Sequence, residues 1–221
     1  MCNHYRVSRP DIVTEFAQSH AEELAPESWR VVNDAWPKAD MPIIYQREKR
    51  TLAAARWGVW PFYEKTRPSR LLTNARDDAL FTKAVWRQAV QRGRCLVPAD
   101  GFLEFAGPTG AKREVLFEMV DKSPFFFAGV LSDDPDGNGS GFALVTGKPN
   151  ELVAALPHDR MPVILEESQA FAWLGSESIA EDRTLALCAP FPAARMIRTD
   201  QPRPTRPGAP KPAAQGDLFA P

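Results

Sequence analysis

The sequence predicts a globular protein that mixes helices with short strands and finishes in an extended tail. Three observations carry this. The 221 residues are 44% hydrophobic and 25% charged, enough for one sizeable core or two small ones. Apolar runs of strand length alternate with segments of helical spacing from Tyr5 to Leu187. From Pro190 the chain turns rich in Pro, Ala and Arg, and Pro202, Pro204, Pro207, Pro210 and Pro212 predict a linker without a core.

In order, Tyr5-Arg6-Val7 reads as a short strand before the turn Ser8-Arg9-Pro10. Asp11 to Leu24 spaces Ile12, Val13, Phe16 and Leu24 as an amphipathic helix, with Asp11 near its positive end. Pro37 and Pro42 break the next stretch into a loop that leads to a strand at Pro42–Gln46. A second strand, Thr51–Val59, runs into the aromatic cluster Trp60-Pro61-Phe62-Tyr63. Leu80, Phe81, Ala84, Val85, Trp86 and Val90 predict a helix over Asp78–Arg92. Between Arg94 and Phe105 two strands are separated by a break at Pro98 and Gly101. Val115–Met119 and Pro124–Val130 read as a hairpin pair, followed by an acidic, Gly-rich loop over Asp133–Gly141. Phe142–Thr146 is a buried strand, Pro149–Leu156 a short helix, and Met161–Leu165 an apolar strand behind His158. Ser168 can cap a helix to Leu174, and Leu185-Ala186-Leu187 is the last regular element expected.

Charge narrows the function classes. The net charge is −1, so no basic field covers the whole molecule. Arg47 to Arg94 nevertheless holds twelve Lys or Arg against four Asp or Glu, a local footprint for phosphates that is equally consistent with a solvated face. The aromatics inside it suit stacking on single-stranded bases, or a core. Three cysteines (Cys2, Cys95, Cys188) form neither a disulfide framework nor a CxxC pair, and Cys2, His4 and His158 match no zinc spacing. No cofactor or metal is expected. Neither a signal peptide nor a membrane-spanning window is evident, so the chain is expected to be cytoplasmic and monomeric, with its thiols reduced.

Two positions stand out chemically. Cys2 follows Met1 directly, and loss of Met1 would place a free α-amine and a thiol on one residue. Their ordinary pKa values, about 7.7–8.0 and about 8.5, make both available near neutral pH. An amine condenses with an aldehyde, and a neighbouring thiol can close on the imine to give a five-membered thiazolidine. Glu104 lies between Phe102 and Phe105, where apolar surroundings should raise its pKa towards that of a general acid.

Met1-Cys2, Trp57-Gly58, Asn74-Ala75-Arg76, Pro98-Ala99-Asp100-Gly101-Phe102 with Glu104, and His158-Asp159-Arg160-Met161-Pro162-Val163 together resemble the SOS-response-associated peptidase family of abasic-site-processing proteins. The resemblance runs from residue 1 to about residue 190. It implies a single compact α+β domain of curved, mainly antiparallel, barrel-like sheet with flanking helices, and a tail over 191–221. It also implies covalent capture of abasic sites in single-stranded DNA, in a nucleoid-associated setting. Carried over by position, Cys2 is the nucleophile and Asn74 positions the terminal amine and the opened sugar. Glu104 shuttles protons, and His158 helps open the deoxyribose ring. Arg76 holds a phosphate, and His4, Trp57 and Arg160 join it in contacting DNA. Asn3 and His4 stand where family members often have Gly and Arg, and Phe105 where Trp is usual, there preserving an apolar wall.

Two other classes compete: an N-terminal-nucleophile cysteine peptidase or amidase, and a non-catalytic module that binds single-stranded DNA. In the tail, Gln215-Gly216-Asp217-Leu218-Phe219 resembles the bacterial sliding-clamp-binding pentapeptide, with Gln215 as polar hook and Leu218 and Phe219 as anchors.

Overall fold

Alternate residues along the central strands divide between two cores, as the two-residue period of a strand requires. The computed structural model describes residues 2–25, 33–66, 68–69, 71–108, 112–137, 139–175 and 179–201. Five strands close on themselves: β4 (Asp40–Gln46), β5 (Arg50–Trp57), β7 (Arg94–Ala99), β10 (Phe125–Asp133) and β11 (Ser140–Gly147). Their order is β11-β10-β7-β4-β5, and a parallel β5–β11 pairing (Phe142 opposite Trp57) completes the ring. Short strands hang on it: β2 (Glu23–Leu24) beside β5, β6 (Asn74–Arg76) and β12 (Met161–Pro162) beside β11, and β13 (Ile164–Leu165) beside β10. A second sheet has the order β14-β9-β8-β1-β3, from β1 (Tyr5–Arg6), β3 (Asp34–Ala35), β8 (Gly101–Ala106), β9 (Arg113–Met119) and β14 (Met196–Asp200).

One core gathers Ile43, Trp57, Val97, Phe127, Phe142 and Leu144 of the ring with Cys2, Tyr5, Phe102 and Phe117 of the second sheet. The other takes the alternate residues, Ile44, Leu96, Phe126, Ala128, Ala143 and Val145. Helices cover it. They are α1 (Pro10–Ser19), α2 (Ala84–Arg92) and α4 (Glu167–Leu174), which bury Ala17, Trp86 and Trp173 respectively. The Trp173 indole N–H reaches the Cys95 and Gly129 carbonyls, each at 3.1 Å, locking α4 to the ring. Two short helices, α3 (Glu151–Ala154) and α5 (Glu181–Leu187), complete an α+β domain. Among the described residues, no helix is long and apolar enough to cross a membrane.

Several expected elements change. Val115–Met119 and Phe125–Val130 do not pair as a hairpin: β9 joins β8 and β14, whereas β10 crosses to β7, β11 and β13. The reason is legible afterwards. Phe125–Val130 is buried at every position, so it needs cover on both faces, which the ring and its helices supply. The helix from Asp11 stops at Ser19, whose hydroxyl donates to the Phe16 carbonyl, and Leu24 belongs to β2 instead. The helix expected from Asp78 begins at Ala84, after a 3-10 turn over Asp77–Ala79. The one over Pro149–Leu156 shortens to α3. Leu185-Ala186-Leu187 ends α5 and is not the last regular element. Residues 193–195 form a 3-10 turn and β14 pairs along β9, from Met196 opposite Met119 to Asp200 opposite Val115.

Candidate active site

Everything at the site depends on where β1 delivers the chain end. β1 lies antiparallel between β3 and β8, with Tyr5 opposite Ala35 on one side and Phe102 on the other. The Leu103 N–H on the His4 carbonyl, 3.0 Å, extends that register and runs the preceding residues back along Glu104. Asp100 anchors the other end: its carboxylate accepts from the Ser8 N–H (3.0 Å), the Ser8 hydroxyl (2.9 Å) and the Arg9 N–H (2.9 Å).

Cys2 is fully buried, and its thiol donates to the His4 carbonyl at 3.4 Å. Burial pushes the thiol pKa far up, and the Glu104 charge pushes it further, so the resting group is the neutral thiol. β6 supplies the clamp. Asn74 pairs with Leu144 of β11, and its amide nitrogen donates to the Cys2 carbonyl at 2.9 Å. Its Oδ1 is buried with no hydrogen-bond partner among the described residues. Such an unmet acceptor is costly unless something arrives to use it.

Glu104 and His158 form the polar floor. Glu104 is 3% exposed, and its Oε1 too has no hydrogen-bond partner among the described residues. Burial raises its pKa, against the opposing pull of the chain's amino terminus and His158. His158 Nε2 is 2.7 Å from the Phe105 carbonyl, which can only accept, so Nε2 carries the hydrogen. Nδ1 is then left facing Glu104 Oε2 at 3.6 Å. A carboxyl whose pKa is raised beside an imidazole nitrogen can pass a proton in either direction. The Phe105 side chain is itself 40% exposed, so its backbone serves the site and its ring does not form the expected apolar wall.

The expected DNA-contacting residues separate. Trp57 is corrected outright: it is fully buried, and its indole N–H donates to the Thr73 carbonyl at 2.9 Å. No face is open to a base; the ring supports the strand that bears Asn74. His4 is corrected likewise. Its Nε2 lies 2.9 Å from Asp34 Oδ1, its Nδ1 3.4 Å from Glu114 Oε1, and its ring stacks on Trp36. Asp34 takes Nε2, and Nδ1 is buried facing the Glu114 carboxylate, so neither nitrogen is open to a phosphate. Arg160 is 7% exposed and held by Asp77 and the Thr146 carbonyl. Arg76 alone of the four stands half-exposed. Beside Asn3 and Thr73 opens a pocket of about 290 Å³, walled by Trp36, Lys38 and Leu71.

Sequence reasoning missed Thr73, whose hydroxyl reaches Asn3 Oδ1 at 3.2 Å, and the acidic partners Asp34, Glu114, Asp77 and Asp78. Of these, Thr73 and Asp77 flank the Asn74-Ala75-Arg76 motif, with Asp78 one residue further on. Asp100 lay inside a quoted motif, but its partners are more than ninety residues away. Among the described residues, no cluster of three or more metal-ligating side chains occurs.

Known proteins share this architecture. A family model described as SOS response associated peptidase matches residues 1–200. Abasic site processing protein YoqW of Bacillus subtilis is 31% identical over 158 residues, 69% of this chain and 70% of that protein. Abasic site processing protein HMCES of Gallus gallus is 24% identical over 206 residues, 76% of this chain and 61% of that protein. Among solved structures, proteins from Bacteroides thetaiotaomicron and Bordetella bronchiseptica each superpose with a TM-score of 0.74 at 23% identity. They cover 90% and 91% of this chain, and 91% and 100% of their own.

Proposed function

Because the chain belongs to the SOS response associated peptidase family, we propose that it processes abasic sites and does so by covalent capture in single-stranded DNA. The observation that carries the reading is the Asn74 clamp on the Cys2 carbonyl beside a buried Glu104, its pKa raised by burial, that faces His158. The abasic sugar exists mainly as a closed hemiacetal, so a proton must reach its ring oxygen and another must leave its hydroxyl before an aldehyde appears. The Glu104–His158 pair supports both transfers. Once Met1 has been lost, the Cys2 amine attacks the aldehyde and water leaves as the imine forms. The thiol then adds across the C=N bond, sulfur to carbon and its proton to nitrogen, to give the thiazolidine. With the imine consumed, β-elimination of the strand has no electron sink.

A cysteine–histidine hydrolase would need an imidazole on the sulfur, whereas an N-terminal-nucleophile hydrolase would use the Cys2 α-amine as its base. Among the described residues the hydrogen-bond partner of the thiol is the His4 carbonyl, and His158 faces Glu104. The capture reading therefore stands ahead of a cysteine–histidine peptidase, and the adduct assay below separates it from an N-terminal-nucleophile hydrolase. It also stands ahead of a purely binding module, which has no use for an acid with a raised pKa behind a buried thiol. We extend the reading to the tail: Gln215, Leu218 and Phe219, outside the described residues, would tether the domain to the replication sliding clamp.

The test is mature protein incubated with an oligonucleotide bearing one abasic site, then run on a denaturing gel. A shifted band with an intact strand is expected. It should vanish in Cys2→Ala and in protein whose N-terminus is blocked by a retained tag. Adduct formation by the tagged protein would overturn the amine-first chemistry, and peptide release without a shift would favour the hydrolase.

A further inference from the structure

Arg76 and Arg160 converge on an anion that already belongs to the protein. Thr146 of β11 brings them together. It pairs with Arg76 in the parallel β6 ladder, while its carbonyl accepts from the Arg160 guanidinium. Arg76 presents its fork to Asp78, Nε to Oδ1 at 3.0 Å and Nη2 to Oδ2 at 2.6 Å. Arg160 Nη1 lies 3.9 Å from the same Oδ2, while its Nη2 donates to Asp77 Oδ1 at 2.5 Å. The Asp78 N–H in turn donates to Asp77 Oδ1 at 2.7 Å, which fixes the turn that carries both acids. One carboxylate thus fills the guanidinium face of Arg76 and touches the edge of Arg160.

We propose that Asp78 is an internal stand-in for a DNA phosphate, filling the Arg76 site in the free protein and leaving it when the strand binds. The proposal rests on the reading that Arg76 meets DNA. Carboxylate and phosphate present the same paired oxygens to a guanidinium fork, so each can replace the other. The pair can exchange because both side chains are about half-exposed, 49% and 56%, and exposed pairs of this kind are weak. Asp77 is better sheltered, 18% exposed, and Arg160 is 8% exposed, so that pair holds its place while Asp78 swings away. The Arg76 contact holds the Asp78 carboxyl below the usual carboxylate range, so the stand-in stays charged. Asp78 then sets the affinity: it weakens unspecific attachment, and it screens Arg76 from smaller anions.

The experiment uses full-length mature protein and an undamaged single-stranded oligonucleotide, with Kd read by fluorescence anisotropy. Asp78→Asn is expected to tighten binding by about 3- to 10-fold at low salt, the gain shrinking as salt rises. Glu15→Gln makes the same charge change on the exposed face of α1 and should leave Kd where it is. In an Arg76→Ala background, Asp78→Asn should gain nothing, because the face it frees is gone. An unchanged or weaker Kd in Asp78→Asn would overturn the proposal and make Asp78 a prop for Arg76. Equal tightening in the Arg76→Ala background would reduce it to general charge, and an Arg76→Ala Kd equal to wild type would remove the site altogether. None of these readouts requires an adduct, so failure of covalent capture remains a separate result.

Discussion

Glu104→Gln separates the proton chemistry of the site from its architecture. The substitution keeps shape and volume and removes one ionisable group that is 3% exposed, so little solvent screening intervenes. Burial raises the Glu104 pKa from the ordinary 4.5, which means the folded protein keeps a proton that the unfolded chain gives up. The sign follows from that. The stabilisation is fully present below about 4.5 and is lost as pH rises through the raised folded value. Each unit of that interval is worth about 1.4 kcal/mol. Wild-type stability should therefore fall with rising pH above 4.5 and then level off, while Glu104→Gln stays flat over the same range. Urea denaturation between pH 4 and pH 8 reads this directly.

Kinetics supply the second half. A positioned general acid–base group contributes about 10²- to 10⁴-fold, or about 3–5 kcal/mol in the barrier. Adduct formation by Glu104→Gln should slow by that order while affinity for undamaged single-stranded DNA stays within about 2-fold. Parallel stability curves for the two proteins would refute the raised pKa. Rate and affinity falling together would refute the proton-shuttle role and make Glu104 a structural residue.

Trp57→Phe should act through Thr73. It deletes one of the two donors to the Thr73 carbonyl and leaves the Leu144 N–H in place, at a cost of about 0.5–1.5 kcal/mol in stability by urea denaturation, and it should slow adduct formation more than it weakens DNA affinity. A loss confined to affinity would restore the base-stacking role. For the tail, a peptide covering 211–221 is expected to bind the sliding clamp with a Kd in the micromolar range. Leu218→Ala with Phe219→Ala should abolish that binding and leave abasic-site capture intact. No binding by the peptide, with unfolding of the domain on tail truncation, would assign Leu218 and Phe219 to the domain surface instead.

What could be read from the sequence was whatever a residue determines locally. The strands β4, β5, β7, β8 and β11 announced themselves by apolar runs and breaks, and α4 by its apolar face, although its cap is Glu166, boxed with Gln169, and the expected cap Ser168 lies inside the helix. Pairing is decided elsewhere. Whether Phe125–Val130 turns back on Val115–Met119 or crosses to Arg94–Ala99 depends on which surface can cover both of its faces, and no local pattern records that.

The same division runs through the site. Cys2 and Glu104 stood out by intrinsic chemistry, a 1,2-aminothiol and a carboxyl in an apolar run, whereas the role of His158 came only with the family resemblance. The DNA-contact assignments of Trp57, His4 and Arg160 were carried over by position from the family resemblance, and a matched position does not reveal a neighbour. Trp57 meets the Thr73 carbonyl sixteen positions away, His4 meets Asp34 thirty away, and Arg160 meets Asp77 eighty-three away. Each partner meets a polar group that a DNA strand would otherwise have met. A cation or aromatic in this chain is therefore a DNA contact only where its partner can let go. By that criterion the half-exposed Arg76–Asp78 pair, and not the sheltered Arg160–Asp77 one, is where strand binding should first register.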